Sequence, residues 1–166
     1  RTTEVATANS STPWNEPKSA YAAAYPKNHV METASGHIKE YDDTSGAERI
    51  HEYHTKGTFY EIDKNGNKST RIVGDNYEVV AGSDFVNIKG TANLTIDSNC
   101  NTYIKGNWNI QVDGTKTEVV TGAVSETYKS TKTENVTGAV QETFSSTQTT
   151  NVSSNVTITG SRIDLN

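Results

Sequence analysis

The sequence has little cysteine, little proline and no long apolar run, and each shortage excludes a class of protein. One cysteine, Cys100, stands among 166 residues, so an internal disulfide and a zinc-type cysteine and histidine spacing are both excluded. All three prolines lie within the first 26 residues. No apolar run approaches the roughly 20 residues that span a bilayer, and the start of the chain does not resemble a signal peptide. The sequence therefore predicts neither a disulfide scaffold nor a membrane-spanning protein.

Apolar residues are also scarce, at 32% of the chain, and the mean hydropathy is -0.70. Such a composition is typical of disorder, but the threonine, valine, isoleucine and tyrosine content favours extended strands. The net charge of -5 is spread over interspersed acids and bases, which disfavours nucleic acid or an anionic membrane surface as a partner. A chain that is poor in apolar residues and yet strictly patterned indicates that several copies share one core.

The pattern is an octad that returns through eleven registers across residues 72–156. Its register position is always glycine or serine: Gly74, Gly82, Gly90, Ser98, Gly106, Gly114, Gly122, Ser130, Gly138, Ser146 and Ser154. Two residues earlier stands a large apolar core position: Ile72, Val80, Ile88, Ile96, Ile104, Val112, Val120, Tyr128, Val136, Phe144 and Val152. Apolar residues within an octad prefer alternate positions, a period of two that predicts strand. The glycines are predicted turn positions, where the strand bends or another backbone comes close.

Two arrangements of the chain are compatible with this repeat. One chain could coil through three octads per turn, or three chains could each supply one side of a prism. An octad extends over about 26 Å, which is one side and not a full coil. We favour three chains, because a single coil would bury many polar side chains, whereas three copies bring each apolar residue against its own copies and leave no free lateral edge. The predicted fold is all-β, a homotrimeric intertwined triple-stranded β-helix preceded by a short antiparallel meander.

The chain divides into four predicted segments. Residues 1–30 are a linker rich in proline, serine and alanine, which Trp14, Tyr21 and Tyr25 are expected to anchor. Residues 31–71 form a small antiparallel region, with strands predicted at 37–41, 48–54, 58–62 and 68–73. Residues 72–158 form the octad shaft. Residues 159–166 break the register and form a tip or cap, where partner binding is predicted for Ser161, Arg162, Ile163, Asp164, Leu165 and Asn166.

Four glutamates of the shaft share one octad position: Glu118, Glu126, Glu134 and Glu142. Lys116 and Lys132 stand two residues before members of this ladder. Twelve unpaired carboxylates along a three-chain axis would be prohibitive without cations. We expect these glutamates to face solvent or to pair with lysine, and the alternative is that ions occupy the interior of the shaft.

No residues form a convincing catalytic, cofactor or metal site. His51 and His54 are three apart on a strand and point to opposite faces, so they cannot chelate one ion. Asp42 and Asp43 precede Thr-Ser-Gly and are interpreted as turn capping. Cys100 is expected to be a small core residue.

Three stretches of the meander, SGHIKEYDDT (35–44), GAERI (46–50) and HTKGTFYEI (54–62), resemble the segment that follows the OB-fold in central spike proteins of contractile phage tails and in VgrG proteins. The octads and the ending GSRIDL (160–165) are similar to the C-terminal needle of the T-even phage spike. Together the resemblance covers about residues 31–166. The chain departs from T-even spikes in having neither an OB-fold nor a lysozyme domain, so peptidoglycan hydrolysis is not assigned to it.

The resemblance implies a homotrimer in the virion, at the tip of a tail baseplate, driven through the bacterial outer membrane into the periplasm. It implies baseplate hub proteins as partners through the upstream region and a PAAR-repeat protein at the blunt end. An alternative is a trimeric stalk or adhesin that recognises a cell-surface ligand, with threonine pairs such as Thr115 and Thr117 as a binding face. An enzyme has least support.

Overall fold

The computed structural model describes residues 5–8 and 10–163, and all regular structure in these residues is β-strand. The strands are β1 (Val5–Thr7), β2 (Ser10–Trp14), β3 (Asn28–Glu32), β4 (Ile38–Asp42), β5 (Arg49–Tyr53), β6 (Phe59–Ile62) and β7 (Lys68–Arg71). No helix of the described chain has the length and apolar character needed to cross a membrane. The all-β prediction is confirmed.

A hairpin stands where the sequence predicts only a linker. Strands β1 and β2 pair antiparallel, with Val5 opposite Trp14 and Thr7 opposite Ser10. The sequence predicts no strand here because Pro13 lies within β2, and proline lacks the N–H that a ladder needs. A two-stranded ribbon leaves one side of each strand unpaired, so it can accommodate proline.

A five-stranded antiparallel sheet follows, with β3 to β7 adjacent in chain order. Strands β4 to β7 match the four predicted strands within one or two residues at their ends. The sequence missed β3, whose residues NHVME do not alternate between apolar and polar. Its partner determines its structure instead, because β3 pairs with β4 along its whole length, from Asn28 opposite Asp42 to Glu32 opposite Ile38.

Tight turns connect these strands. Asp63 Oδ1 accepts the backbone N–H groups of Asn65 and Asn67, at 2.8 and 2.9 Å, which forms the predicted turn between β6 and β7. Between β5 and β6, the N–H of His54 donates to the carbonyl of Thr58 at 2.8 Å. Gly57 has a φ of 98° in this turn, a conformation that other residues rarely adopt.

The two faces of this sheet differ in an unusual way. The described side chains include five that are buried, and all five lie on one face, which we call the covered face: Glu40, Asp42, Arg49, Phe59 and Glu61. Four of them are charged, and only Phe59 is apolar. Residues 15–24, which we call the strap, contact this face without regular structure of their own. The opposite face, the open face, carries Tyr41, Ile50 and Ile62.

The octads occupy parts of two compact units, residues 1–107 and 108–166. Within residues 72–107 the chain bends at each glycine or serine register position, for example at 73–74 and 81–82, and is extended between bends. Residues 108–163 repeat the same pattern, for example at 113–114 and 121–122. No strand is paired within the chain in either described stretch. Nearly every one of these residues is exposed, Thr95 being half-buried.

Candidate functional site

The eleven apolar core positions of the octads, which we call the octad stripe, share one environment in the chain. Their exposed fractions lie between 42% for Ile72 and 57% for Ile88. Other large apolar side chains of the octads reach 92%, as at Val79, the immediate neighbour of Val80 in the stripe. The stripe is therefore on the more sheltered side of the extended chain, although nothing in the described chain covers it.

The seven octad glycines lie at bends of the extended chain, and their role as turn positions of a shaft stays a prediction. A Cβ atom added at any of them would meet no atom of the described chain within 4 Å: Gly74, Gly82, Gly90, Gly106, Gly114, Gly122 and Gly138. Within a single chain, therefore, each of these positions has room for a side chain. A close approach of a second backbone stays a prediction.

Lysines pair with members of the glutamate ladder. Lys116 Nζ lies 2.8 Å from a carboxylate oxygen of Glu118, and this hydrogen bond raises the pKa of Lys116 and lowers the pKa of Glu118. Lys132 Nζ lies 3.7 Å from Glu134 and 4.0 Å from Glu126, so it stands between two ladder positions. All of these side chains are exposed in the single chain. Lysine pairing is thus present in the chain for Glu118, Glu126 and Glu134, and the direction in which the ladder faces in a shaft stays a prediction.

The predicted tip is described only in part. Ser161, Arg162 and Ile163 are exposed, and Gly160 lies close to the backbone of Arg162. Asp164, Leu165 and Asn166, which complete the predicted partner-binding set, lie outside the described residues.

A buried charge cluster, which the sequence did not predict, holds the covered face together. Arg49 on β5 donates through Nη2 to Glu40 on β4, and through Nη1 to Glu61 on β6 at 2.8 Å. Register places Glu40, His51 and Glu61 in one cross-strand row. Opposite charges on adjacent predicted strands were the signal available, but isolated charges on short strands are usually solvated.

The strap is bound to this cluster by polar contacts. Glu61 accepts hydrogen bonds from the Ser19 hydroxyl at 2.6 Å and from the Ala20 N–H at 2.8 Å. Glu16 pairs with Arg71 on β7 at 2.7 Å. The ring of Tyr21 lies 5.0 Å from the guanidinium carbon of Arg49, so this predicted aromatic anchor is in place. Tyr25 is 91% exposed and is not an anchor, because polar contacts with Glu61 and Arg71 hold the segment instead of an apolar surface.

Two carboxylates of the covered face have altered proton affinities. Burial alone would raise the pKa of Glu61, but the hydrogen bonds from Ser19, Ala20 and Arg49 outweigh it and lower that pKa. The pKa of Asp42 is lowered by its hydrogen bonds with Thr44, against the opposing effect of burial. Asp42 Oδ1 accepts the Thr44 N–H at 2.9 Å, which confirms the predicted turn capping.

The remaining candidates do not form a reactive site. The His51 ring lies near Phe59, with centroids 5.7 Å apart and planes tilted by 60°, whereas the His54 ring lies near His37, with centroids 4.4 Å apart. The two histidines of the predicted motif thus have different neighbours. Across the described residues, no group of three or more histidine, cysteine, aspartate or glutamate side chains is arranged to hold a metal ion. Cys100 is exposed in the chain, so its role as a core residue stays a prediction.

Comparison with known proteins gives two relatives among phage proteins. The chain is 49% identical to Protein Gp5 of Vibrio phage KVP40 over 90 residues, which are 54% of this chain and 21% of that protein. It is 38% identical to the Pre-baseplate central spike protein Gp5 of Enterobacteria phage T4 over 86 residues, or 47% of this chain and 15% of that protein. The match thus spans about a fifth or less of each relative. No family model matches the chain.

Proposed function

We propose that this chain forms the shaft of a membrane-piercing spike in a phage tail, since it is a homologue, over about half of its length, of two phage Gp5 proteins, one of which is a pre-baseplate central spike protein. Three copies wind into a triple-stranded β-helix over residues 72–158. The spike perforates the host outer membrane mechanically as the tail contracts and reaches the periplasm. The piercing role carried by this segment is structural and needs no catalytic residue.

The observation that supports this proposal most directly is the octad stripe. Eleven apolar side chains recur every eight residues on the sheltered side of a chain that does not cover them. Apolar side chains exposed in such numbers mark an interaction site. Only a partner with the same period matches all eleven positions, and a second and third copy of the chain supply that period.

The backbone of the octads supports the same arrangement. An extended chain has N–H and C=O groups that need partners, and residues 72–163 contain no strand paired within the chain. A single-chain coil would pair successive turns with one another, so the described chain does not favour that closure. Three copies would pair each extended segment with neighbours on both sides and leave no lateral edge.

The two ends of the spike define its partners. The octad register ends before residues 159–166, and an open prism end presents unpaired edges, so we propose that a small PAAR-repeat protein covers this tip. Ser161, Arg162 and Ile163 are exposed at this end of the chain. At the other end, the region upstream of the shaft connects to baseplate hub proteins.

Solution mass tests the trimer. Light scattering should give three times the 18.0 kDa of one chain, and the band in SDS without boiling should run at the same mass. Intertwined chains separate slowly, so the band should fall to one chain only after boiling. A compact particle of 18.0 kDa would overturn the proposal.

Force spectroscopy tests the piercing role. The trimer is attached to a cantilever by its N-terminal end and pressed against a supported bilayer that contains lipopolysaccharide. The expected breakthrough force is lower than for the same trimer attached by its C-terminal end, because only the first orientation presents the tip. Equal forces in both orientations would contradict piercing, and adhesion without breakthrough would favour a stalk or adhesin.

A further inference from the structure

The N-terminal hairpin, formed by β1 and β2, lies on the outer side of the octads, which we define as the side opposite the octad stripe. The Thr95 hydroxyl donates a hydrogen bond to the carbonyl of Ala6 on β1. Thr95 immediately precedes Ile96 of the stripe, and side chains of an extended chain alternate, so the Thr95 side chain is on the outer side. Among the described strands, β1 and β2 pair only with each other. The hairpin therefore lies beside the octads without forming a ladder with them.

The hairpin also borders the end of the five-stranded sheet. An open cavity of about 630 Å³ is lined by residues from both: Val5 and Trp14 of the hairpin, Arg71 and Ile72 where β7 ends, and Asp97. Thr95 stands three octads after Arg71 in the chain. The hairpin is therefore in reach of two parts of its own chain that are three repeats apart.

Three repeats are one full turn of a three-chain prism. Each extended segment between two bends forms one side, so a chain returns to the same side after three segments. At about 4.8 Å per strand, one turn of three chains rises about 14 Å, and one segment from each of the other two copies fills the space between. Threefold symmetry identifies these segments as residues 75–80 of one copy and residues 83–88 of the other.

These two segments carry apolar side chains on the outer side. By alternation from the stripe, Tyr77 and Val79 of the first segment and Phe85 of the second stand there. They are 85%, 92% and 91% exposed. Among the other outer positions of the two segments, only Asp75 is charged. The outer positions of the next segment are all polar: Thr91, Asn93 and Thr95. Within residues 75–96, the apolar outer surface thus coincides with the part that lies between the two ends of the hairpin's reach.

We propose that the hairpin of each copy is a clasp, which crosses the outer apolar side chains of the two other copies and stabilises the first turn of the shaft. The inference rests on the proposed trimeric shaft. Because the hairpin borders its own chain on both sides of the turn, the partner segments lie directly under it. Val5 and Trp14 supply the apolar surface of the hairpin, and Trp14 is 44% exposed in the single chain. A second and third copy of the chain are therefore the partners that this surface fits.

Crosslinking tests the clasp in the full chain. Cys100→Ser removes the native thiol, and Ala6→Cys places a thiol on the exposed surface of β1. A second cysteine is added at one outer position: Phe85→Cys tests the partner segment, Asn93→Cys tests the hairpin's own chain, and Thr117→Cys, three octads after Asn93, is the control. Light scattering verifies the trimer before a short bis-maleimide is added. Boiled samples are separated in SDS, and mass spectrometry identifies the linked peptides.

The expected result is covalent dimers and trimers with Phe85→Cys, links within single chains with Asn93→Cys, and a yield with Thr117→Cys at least tenfold lower than with Phe85→Cys. Links at Phe85→Cys only within single chains, or none, would overturn the clasp and leave the trimeric shaft intact. Absence of the Asn93→Cys link, or equal yields at Phe85→Cys and Thr117→Cys, would overturn it as well. A particle of 18.0 kDa before crosslinking would instead overturn the shaft. If Phe85→Cys does not fold, Val79→Cys is used.

Discussion

Arg49 on β5 donates a 2.8 Å hydrogen bond to Glu61 on β6, and the two side chains are buried in a sheet whose described core has a single buried apolar residue. Glu61 in turn holds the strap through Ser19 and Ala20. This carboxylate therefore connects the N-terminal segment to the sheet, as the ion pair between Glu16 and Arg71 also does. Because polar contacts attach the strap to the sheet, the strength of this attachment depends on charge pairing and on pH.

Replacement of Arg49 by methionine should destabilise the sheet by about 3–5 kcal/mol, because Glu40 and Glu61 would remain buried without their cation. Chemical denaturation followed by tyrosine fluorescence measures this loss. Arg71→Met is the matched control, since its pair with Glu16 is partly exposed and removing it should cost only about 1 kcal/mol. Equal losses in the two variants would show that the buried cluster has no special role.

Stability should fall on acidification because of Glu61. The pKa of Glu61 is lower in the folded chain than its ordinary value of 4.5. Its contribution to the free energy of unfolding is therefore fully present above pH 4.5 and is lost as the pH falls through the folded pKa. Thermal unfolding of wild type and Glu61→Gln at pH 7 and at pH 3 measures the effect. The variant should be less stable at pH 7, and the gap should narrow at pH 3. As a control, Glu32→Gln on the edge strand should lose as much stability between pH 7 and pH 3 as the wild type does.

Aspartate at Val80 should weaken the trimer, whereas aspartate at Val79 should not. The two valines are adjacent, but Val80 belongs to the octad stripe and is 49% exposed, while Val79 is 92% exposed. Val80→Asp removes roughly 1.5–3 kcal/mol of apolar burial per chain and brings three charges together. The fraction of SDS-resistant trimer as a function of temperature measures the difference. A trimer equally sensitive to both substitutions would contradict the assignment of the stripe.

Lys132→Met should lower the unfolding temperature of the shaft more than Lys129→Met. Lys132 stands between Glu126 and Glu134, and its loss leaves two like charges without a cation between them. The difference between the variants should shrink in 1 M salt, because salt screens exposed charges. A difference that persists at high salt would indicate that the ladder lies inside the shaft, away from solvent.

The sequence predicted strands where a local pattern defined them and failed where a partner defined them. Four sheet strands were predicted because turn residues such as Asp63 and Gly57 separate short alternating runs. Strand β3 carries no such pattern and forms because β4 is beside it. The burial of Glu40 could not be predicted from the sequence either. Arg49 compensates its charge, and only the pairing of β4 with β5 brings the two side chains together. The octads are the opposite case, because their period is visible in the sequence even though their partners are not.

A bend at every eighth residue limits how the length of this shaft can change. Deleting one residue would shift every later stripe residue to the other side of the extended chain, because successive side chains alternate. Deleting or inserting eight residues restores both the bend and the side. Homologous shafts should therefore differ in length by whole octads, so that evolution adjusts the reach of the spike in discrete steps.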